Sequence, residues 1–234
     1  MHRLWIGFAP FALVSAIHIA ALAVGADPLA GPTKLLLMPL LAIGVLGGGR
    51  GSRWGNTYTL LLTAIALSWI GDGAGTFFPT MPTVPMMLLF FGVAHLCYIW
   101  LFWRVIPVRR VPLWAIVYGV WWVALVAILV PLILQNIGGG PYAIGVAIYG
   151  LVLGGTAVAA SRCHSLVAAG GAFFLASDSI LAFRLFTPDA MPDWTSPLVM
   201  LTYCLGQGLI AAGVIVAARL RAATPTRERV EGAT

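Results

Sequence analysis

Two aspartates stand where hydrocarbon is expected. Asp178 lies in Phe173-Phe174-Leu175-Ala176-Ser177-Asp178-Ser179-Ile180-Leu181-Ala182, and Asp72 closes Leu67-Ser68-Trp69-Ile70-Gly71-Asp72. A carboxylate in a membrane-spanning helix costs several kcal/mol, roughly, unless it faces a protein interior, so each marks a functional position by default. Other polar side chains recur at helical spacing. Ser68 and Asp72 share a face at i, i+4, as do Tyr203 and Gln207, while His95 and Tyr98 do so at i, i+3. Lys34 opens a further apolar stretch. If these faces converge they enclose a polar pocket in which two carboxyls can divide the labour of acid and base. The bland alternatives are structural ion pairs of the two acids with Lys34 and Arg184, and interhelical hydrogen bonds through Tyr203 and Gln207. His18 and Asn136 take no role in this reading.

The elements that must position these residues are membrane helices. The chain is 61% hydrophobic and only 9% charged, with mean hydropathy near +1, too little polar surface to cover a soluble globule. The fold class is therefore all-α, a polytopic helix bundle. A span needs about 20 apolar residues, and eight candidates meet or approach that length: 4–25, 33–47, 56–75, 84–103, 112–134, 140–160, 166–186 and 196–219. The second is the shortest. The first reads as a membrane helix rather than a cleaved signal, because its apolar run is longer than a signal core. Pro- and Gly-rich breaks separate the spans.

Charge placement tests the count. Arg3, Arg50, Arg53, Arg104, Arg109, Arg110, Arg162, Arg219, Arg221, Arg227 and Arg229 all fall on one side of an eight-helix scheme, only Lys34 and Arg184 do not, and the opposite loops carry Asp27, Asp189 and Asp193. Basic loops stay in the cytoplasm, so both termini belong there. Residues 1–221 form the bundle and 222–234 a polar tail expected to be disordered. The net charge of +6 follows topology and does not point to nucleic acid. Trp5, Trp54, Trp103, Trp114 and Trp194 fall near span ends, as an interfacial belt requires. Cys97, Cys163 and Cys204 have neither metal nor disulfide spacing, and no cofactor is expected. With the outer side set in this way, Asp72 comes about 24 Å along helix three and Asp178 about 18 Å along helix seven, both in the outer half.

An internal echo joins the two acids. Ser68 and Asp72 followed by Phe77-Phe78-Pro79 and Met81-Pro82 is answered by Ser177-Asp178 followed by Leu185-Phe186, Pro188 and Met191-Pro192. Helices three and seven are four apart and parallel, which suggests a four-plus-four duplication.

Lys34 with Pro39, Ser68-x-x-Gly71-Asp72, Gly92-x-x-His95-x-x-Tyr98, Ser177-Asp178-x-x-Leu181-Ala182 and Tyr203-x-x-x-Gln207 together resemble the YhhN-like lysoplasmalogenase family. The match spans about 33 to 212; it departs in having Leu35, not proline, directly after Lys34, and helices five and six carry little that is diagnostic. The resemblance implies a multi-pass hydrolase of the cell membrane, expected in a bacterial inner membrane. It would cleave the vinyl-ether bond of a lysoplasmalogen, a lysophospholipid substrate, into fatty aldehyde and glycerophospho head group. A vinyl ether must be protonated at carbon and the resulting cation captured by water, a division between two carboxyls like that of glycoside hydrolysis. Asp72 and Asp178 are then the catalytic pair, with roles open; Asp178, nearer the midplane, is the first choice as acid. Lys34 and His95 are candidates for phosphate or water, and Ser68, Ser177, Tyr98, Tyr203 and Gln207 complete the expected binding site. The rival reading is a proton-coupled transporter that uses the same two acids as a relay.

Overall fold

The computed structural model describes residues 2–50, 55–136 and 139–231, with side chains described from residue 6 to 222. Arg53 and Trp54 lie outside the described residues, as do the side chains of Arg3, Trp5, Arg227 and Arg229. Among the described residues there is no strand. The long helices are α1 (His2–Ala23), α2 (Asp27–Gly48), α3 (Asn56–Asp72), α4 (Thr83–Trp100), α5 (Ile116–Asn136), α6 (Gly140–Ala160), α7 (Ser165–Phe186) and α8 (Thr195–Glu231). Seven are long and apolar enough to cross a membrane, making this a multi-pass membrane protein. The eighth, α3, has 17 residues and is extended by a single turn at Ala74–Phe77.

Two lengths differ from the sequence expectation. Helix two is not short: α2 begins at Asp27 because Gly25, at φ 70°, turns the chain, and Asp27 and Pro28 then supply a favourable first turn. The last helix runs on to Glu231, into the segment expected to lack structure, although its apolar span ends at Ala222. Residues 232–234 lie outside the described set.

Neighbour relations organise the bundle. α2, α3, α4, α6, α7 and α8 follow one another in contact around a ring that closes where α8 meets α2; α1 packs outside on α2 and α8, and α5 outside on α6 and α7. Pair contacts recur in both chain halves, α2 on α3 and α6 on α7, α3 on α4 and α7 on α8. The α7–α8 seam is the tightest. A Cβ on Gly170 would stand 2.8 Å from the Gly206 carbonyl oxygen, and one on Gly206 2.9 Å from the Phe174 nitrogen, so only glycine allows this approach. The main core has Leu37, Leu41, Leu61, Tyr98, Phe102 and Phe174 fully buried, and a smaller second cluster of Leu125, Leu129, Ile133, Ala143, Val146 and Phe186 lies between α5, α6 and α7.

Arginines tie one end together. Arg219 donates to the Gly48 carbonyl at 2.7 Å, Arg221 to Pro107 at 3.0 Å, Arg109 to Ser161 at 2.8 Å and Arg162 to Trp103 at 3.3 Å. The ends of α2, α4, α6 and α8 therefore lie on one face, as alternating spans demand. These guanidiniums satisfy terminal carbonyls that no helix bond reaches. Cys163, just beyond α6 at this end, is buried, and desolvation pushes its thiol up to about 12, consistent with a packing role.

Candidate active site

All six ring helices contribute a polar side chain toward the opposite end of the bundle. Asp72, the last residue of α3, accepts a hydrogen bond from the Tyr203 hydroxyl of α8 at 2.7 Å and lies 3.6 Å from the Lys34 ammonium of α2. Asp178, in mid-α7, accepts from the Tyr149 hydroxyl of α6 and has the His95 Nε2 of α4 at 3.8 Å. Both carboxylates are at least nine-tenths buried, and each lies within electrostatic reach of the other.

A polar thread and a set of rings connect the two. From Tyr203 the thread passes to Gln207 at 3.4 Å, whose amide donates to Ser68 at 3.1 Å and whose carbonyl accepts from Tyr98 at 2.6 Å. The Phe174 ring packs 5.4 Å from Tyr203 and 4.6 Å from His95, centroid to centroid, and Phe91 packs edge-on against both Phe174 and Tyr203. Asp72, Tyr203, Phe174, His95 and Asp178 thus form a continuous wall. His95 is fully buried, and neither ring nitrogen has a hydrogen-bond partner, which leaves an unmatched polar group facing Asp178.

A narrow apolar cavity of about 50 Å³ opens at Asp178. Leu88, Phe91, Trp121, Leu125, Tyr149 and Leu181 are among its walls, so it runs between α4, α5, α6 and α7 with a carboxylate on its lining. Trp121 also donates to Ser179 at 3.0 Å, fixing α5 against α7 beside the acid. Apart from that one carboxyl the slot is almost wholly apolar.

Eight of the nine residues expected from the sequence join this assembly. Asp72, Asp178, Lys34, His95, Ser68, Tyr98, Tyr203 and Gln207 meet through the contacts above, whereas Ser177 turns away and donates to the Val199 carbonyl at 3.0 Å on the α7–α8 seam. The expected pairing of acids with bases is found for Lys34 but not for Arg184, which donates to the Pro192 carbonyl at 3.1 Å and to Thr195. Tyr149 was not expected. It sits in Gly145-Val-Ala-Ile-Tyr149-Gly150, where the glycines read as packing; the available signal was a phenol inside an otherwise apolar span. Among the described residues no three His, Cys, Asp or Glu side chains stand together as a metal set.

The YhhN family profile matches residues 29–214. The chain belongs to the YhhN family. The matched region includes all six ring helices up to Val214, and hence every site residue named above. No curated relative and no solved structure matches it.

Proposed function

We propose that this YhhN-family protein is a membrane hydrolase of vinyl-ether lysolipids, using Asp178 and Asp72 as an acid and base pair. The observation that carries the reading is the placement of one buried carboxyl on the apolar slot and of the other beside a cation, in a single connected site. The family resemblance and the chemistry of the bond agree with it.

Polarity orients the substrate. With the alkenyl chain in the slot, the vinyl carbon on the chain side lies toward Asp178, and the carbon bonded to oxygen lies toward Asp72. Asp178 gives its proton to the chain-side carbon, the π electrons of the double bond form the new C–H bond, and positive charge develops across the neighbouring carbon and the ether oxygen. In this scheme the Asp72 carboxylate and the Phe91 ring on the slot wall stabilise that charge. Water held by Asp72 adds to the cationic carbon and leaves a proton on Asp72, giving a hemiacetal. Asp178 then takes the hemiacetal hydroxyl proton while Asp72 protonates the departing glycerol oxygen. The products are a fatty aldehyde and the glycerophospho head group, and both acids return to their starting states. Tyr149 positions Asp178 by its hydrogen bond, Tyr203 positions Asp72, and Lys34 supplies the charge opposite the carboxylate.

The test is a substrate panel with purified protein in detergent. Alkenyl lysophospholipid should yield aldehyde, whereas the acyl and saturated alkyl analogues, which cannot form the cation by protonation at carbon, should not react. Fatty acid release from the acyl lipid would contradict the reading. Solute uptake driven by a pH gradient in proteoliposomes, with no aldehyde formed, would favour a proton relay instead.

A further inference from the structure

A second cavity lies beside the first. About 270 Å³ opens between α1, α2, α7 and α8, with His18, Lys34, Leu181, Arg184, Ser196 and Met200 among its walls. Leu181 lines this cavity and the apolar slot alike, and Lys34 links it to Asp72. The two hollows therefore lie on either side of Leu181, one apolar with Asp178 on its wall and one basic with Lys34, the partner of Asp72, on its wall.

Three nitrogen-bearing side chains face the second cavity. Lys34 is matched by Asp72 at 3.6 Å. Arg184 is not matched: among the described residues no carboxylate comes within 4.0 Å of its guanidinium, which holds the Pro192 carbonyl and Thr195 through Nη1. His18 is 98% buried; its Nδ1 stands 2.9 Å from the Thr33 hydroxyl, and its Nε2 is without any partner. A half-buried guanidinium lacking a counterion calls for an anionic ligand, and the unpartnered ring nitrogen on the same cavity wall for a donating hydroxyl beside it. With Lys34 already balanced, one negative charge remains to be supplied.

We infer that this cavity seats the phosphodiester of the substrate's head group, with Arg184 as its charge partner and His18 Nε2 left to accept from a neighbouring hydroxyl of the same lipid. The inference rests on the vinyl-ether reading above and extends it from the reacting bond to the head group. A lysophospholipid carries one apolar chain and one anionic phosphodiester on either side of the ether, and the apolar and the basic hollow lie on either side of Leu181. Arginine's planar fork suits phosphate oxygens better than a point charge does.

The experiment uses the full chain and two substrates that share the alkenyl ether, an alkenyl glycerophosphoethanolamine and an alkenylglycerol lacking phosphate. Arg184→Gln should raise KM for the phosphate-bearing lipid about tenfold or more, with a penalty in kcat/KM at least tenfold greater than that on the alkenylglycerol, and Arg184→Lys should recover part of the loss. Binding is read separately from turnover, as the rise in melting temperature given by a non-hydrolysable alkyl lysophospholipid, which should shrink in Arg184→Gln. If Arg184→Gln fails to fold for want of its loop contacts, Arg184→Lys carries the same comparison with a severalfold selective loss. Equal penalties on both substrates would overturn the inference, as would inorganic phosphate stabilising the protein as well as the lipid does. If wild type cleaves neither ether yet shows Arg184-dependent stabilisation by the alkyl lysophospholipid, the head-group seat stands and the hydrolase reading falls.

Discussion

Asp72 and Asp178 occupy equivalent stations on the ring. The acid of α3 is met by one side chain from α2 and one from α8; the acid of α7 is met by one from α6 and one from α4. With α2 set against α6 and α4 against α8, the two halves of the ring present similar frames with different occupants. Lys34 stands where the other half has Tyr149, and Tyr203 where the other has His95. One corner therefore holds a fixed cation and a phenol, the other a phenol and an unpartnered imidazole beside an apolar slot. Two carboxyls in like frames acquire unlike tasks when their neighbours differ, since environment decides which gives a proton and which receives one.

That contrast can be broken most severely at the acids. Asp178→Asn and Asp72→Asn should each reduce aldehyde release about a thousandfold, the range general acid–base groups supply, while melting temperature shows that the bundle still forms. Near-normal turnover in either variant would end the pairing. Next in size come the phenols. Tyr149→Phe removes the one hydrogen bond donated to Asp178 and should lower kcat about tenfold or more, with little change in KM. Tyr203→Phe should cost less, because Asp72 keeps Lys34; the reverse order would show that the corners had been assigned the wrong way round.

Lys34 sharpens the comparison further. Lys34→Met leaves Asp72 without its cation and should reduce kcat/KM by about fivefold to tenfold, on the scale of one charge-assisted contact, whereas Lys34→Arg should recover most of it. The smallest effect belongs to the thread between the corners. Gln207→Leu strands the Tyr98 and Ser68 hydroxyls in the core, at about 1–3 kcal/mol, and should be visible as a melting temperature lower by roughly 2–10 °C. An unchanged melting temperature would mean that water replaces the amide.

Much of this site was legible before any coordinates. Acids inside apolar spans are conspicuous, and i, i+4 spacing put Tyr203 with Gln207 and Ser68 with Asp72 on common faces, which α8 and α3 preserve. Periodicity gave the helices but misjudged α2, whose start depends on a positive φ at Gly25 and on the Asp27-Pro28 turn rather than on hydropathy. Tyr149 stayed hidden because tyrosine in a glycine-patterned span serves packing as readily as chemistry, and only the proximity of α6 to α7 tells the two apart. The alternative of an ion pair at Arg184 fails for a related reason. Sequence supplies a charge and an acid six residues away, but the guanidinium turns to a loop carbonyl, and the choice among neighbours is made by tertiary geometry.

Proton transfer to carbon is the step on which everything else depends, and heavy water reports it directly. Alkenyl lysophospholipid hydrolysed by the purified protein in D₂O, with the aldehyde reduced at once to its alcohol, should carry one deuterium per molecule on the carbon next to the former carbonyl. Aldehyde-derived alcohol without that label, or product formed at the wild-type rate by Asp178→Asn, would contradict the account.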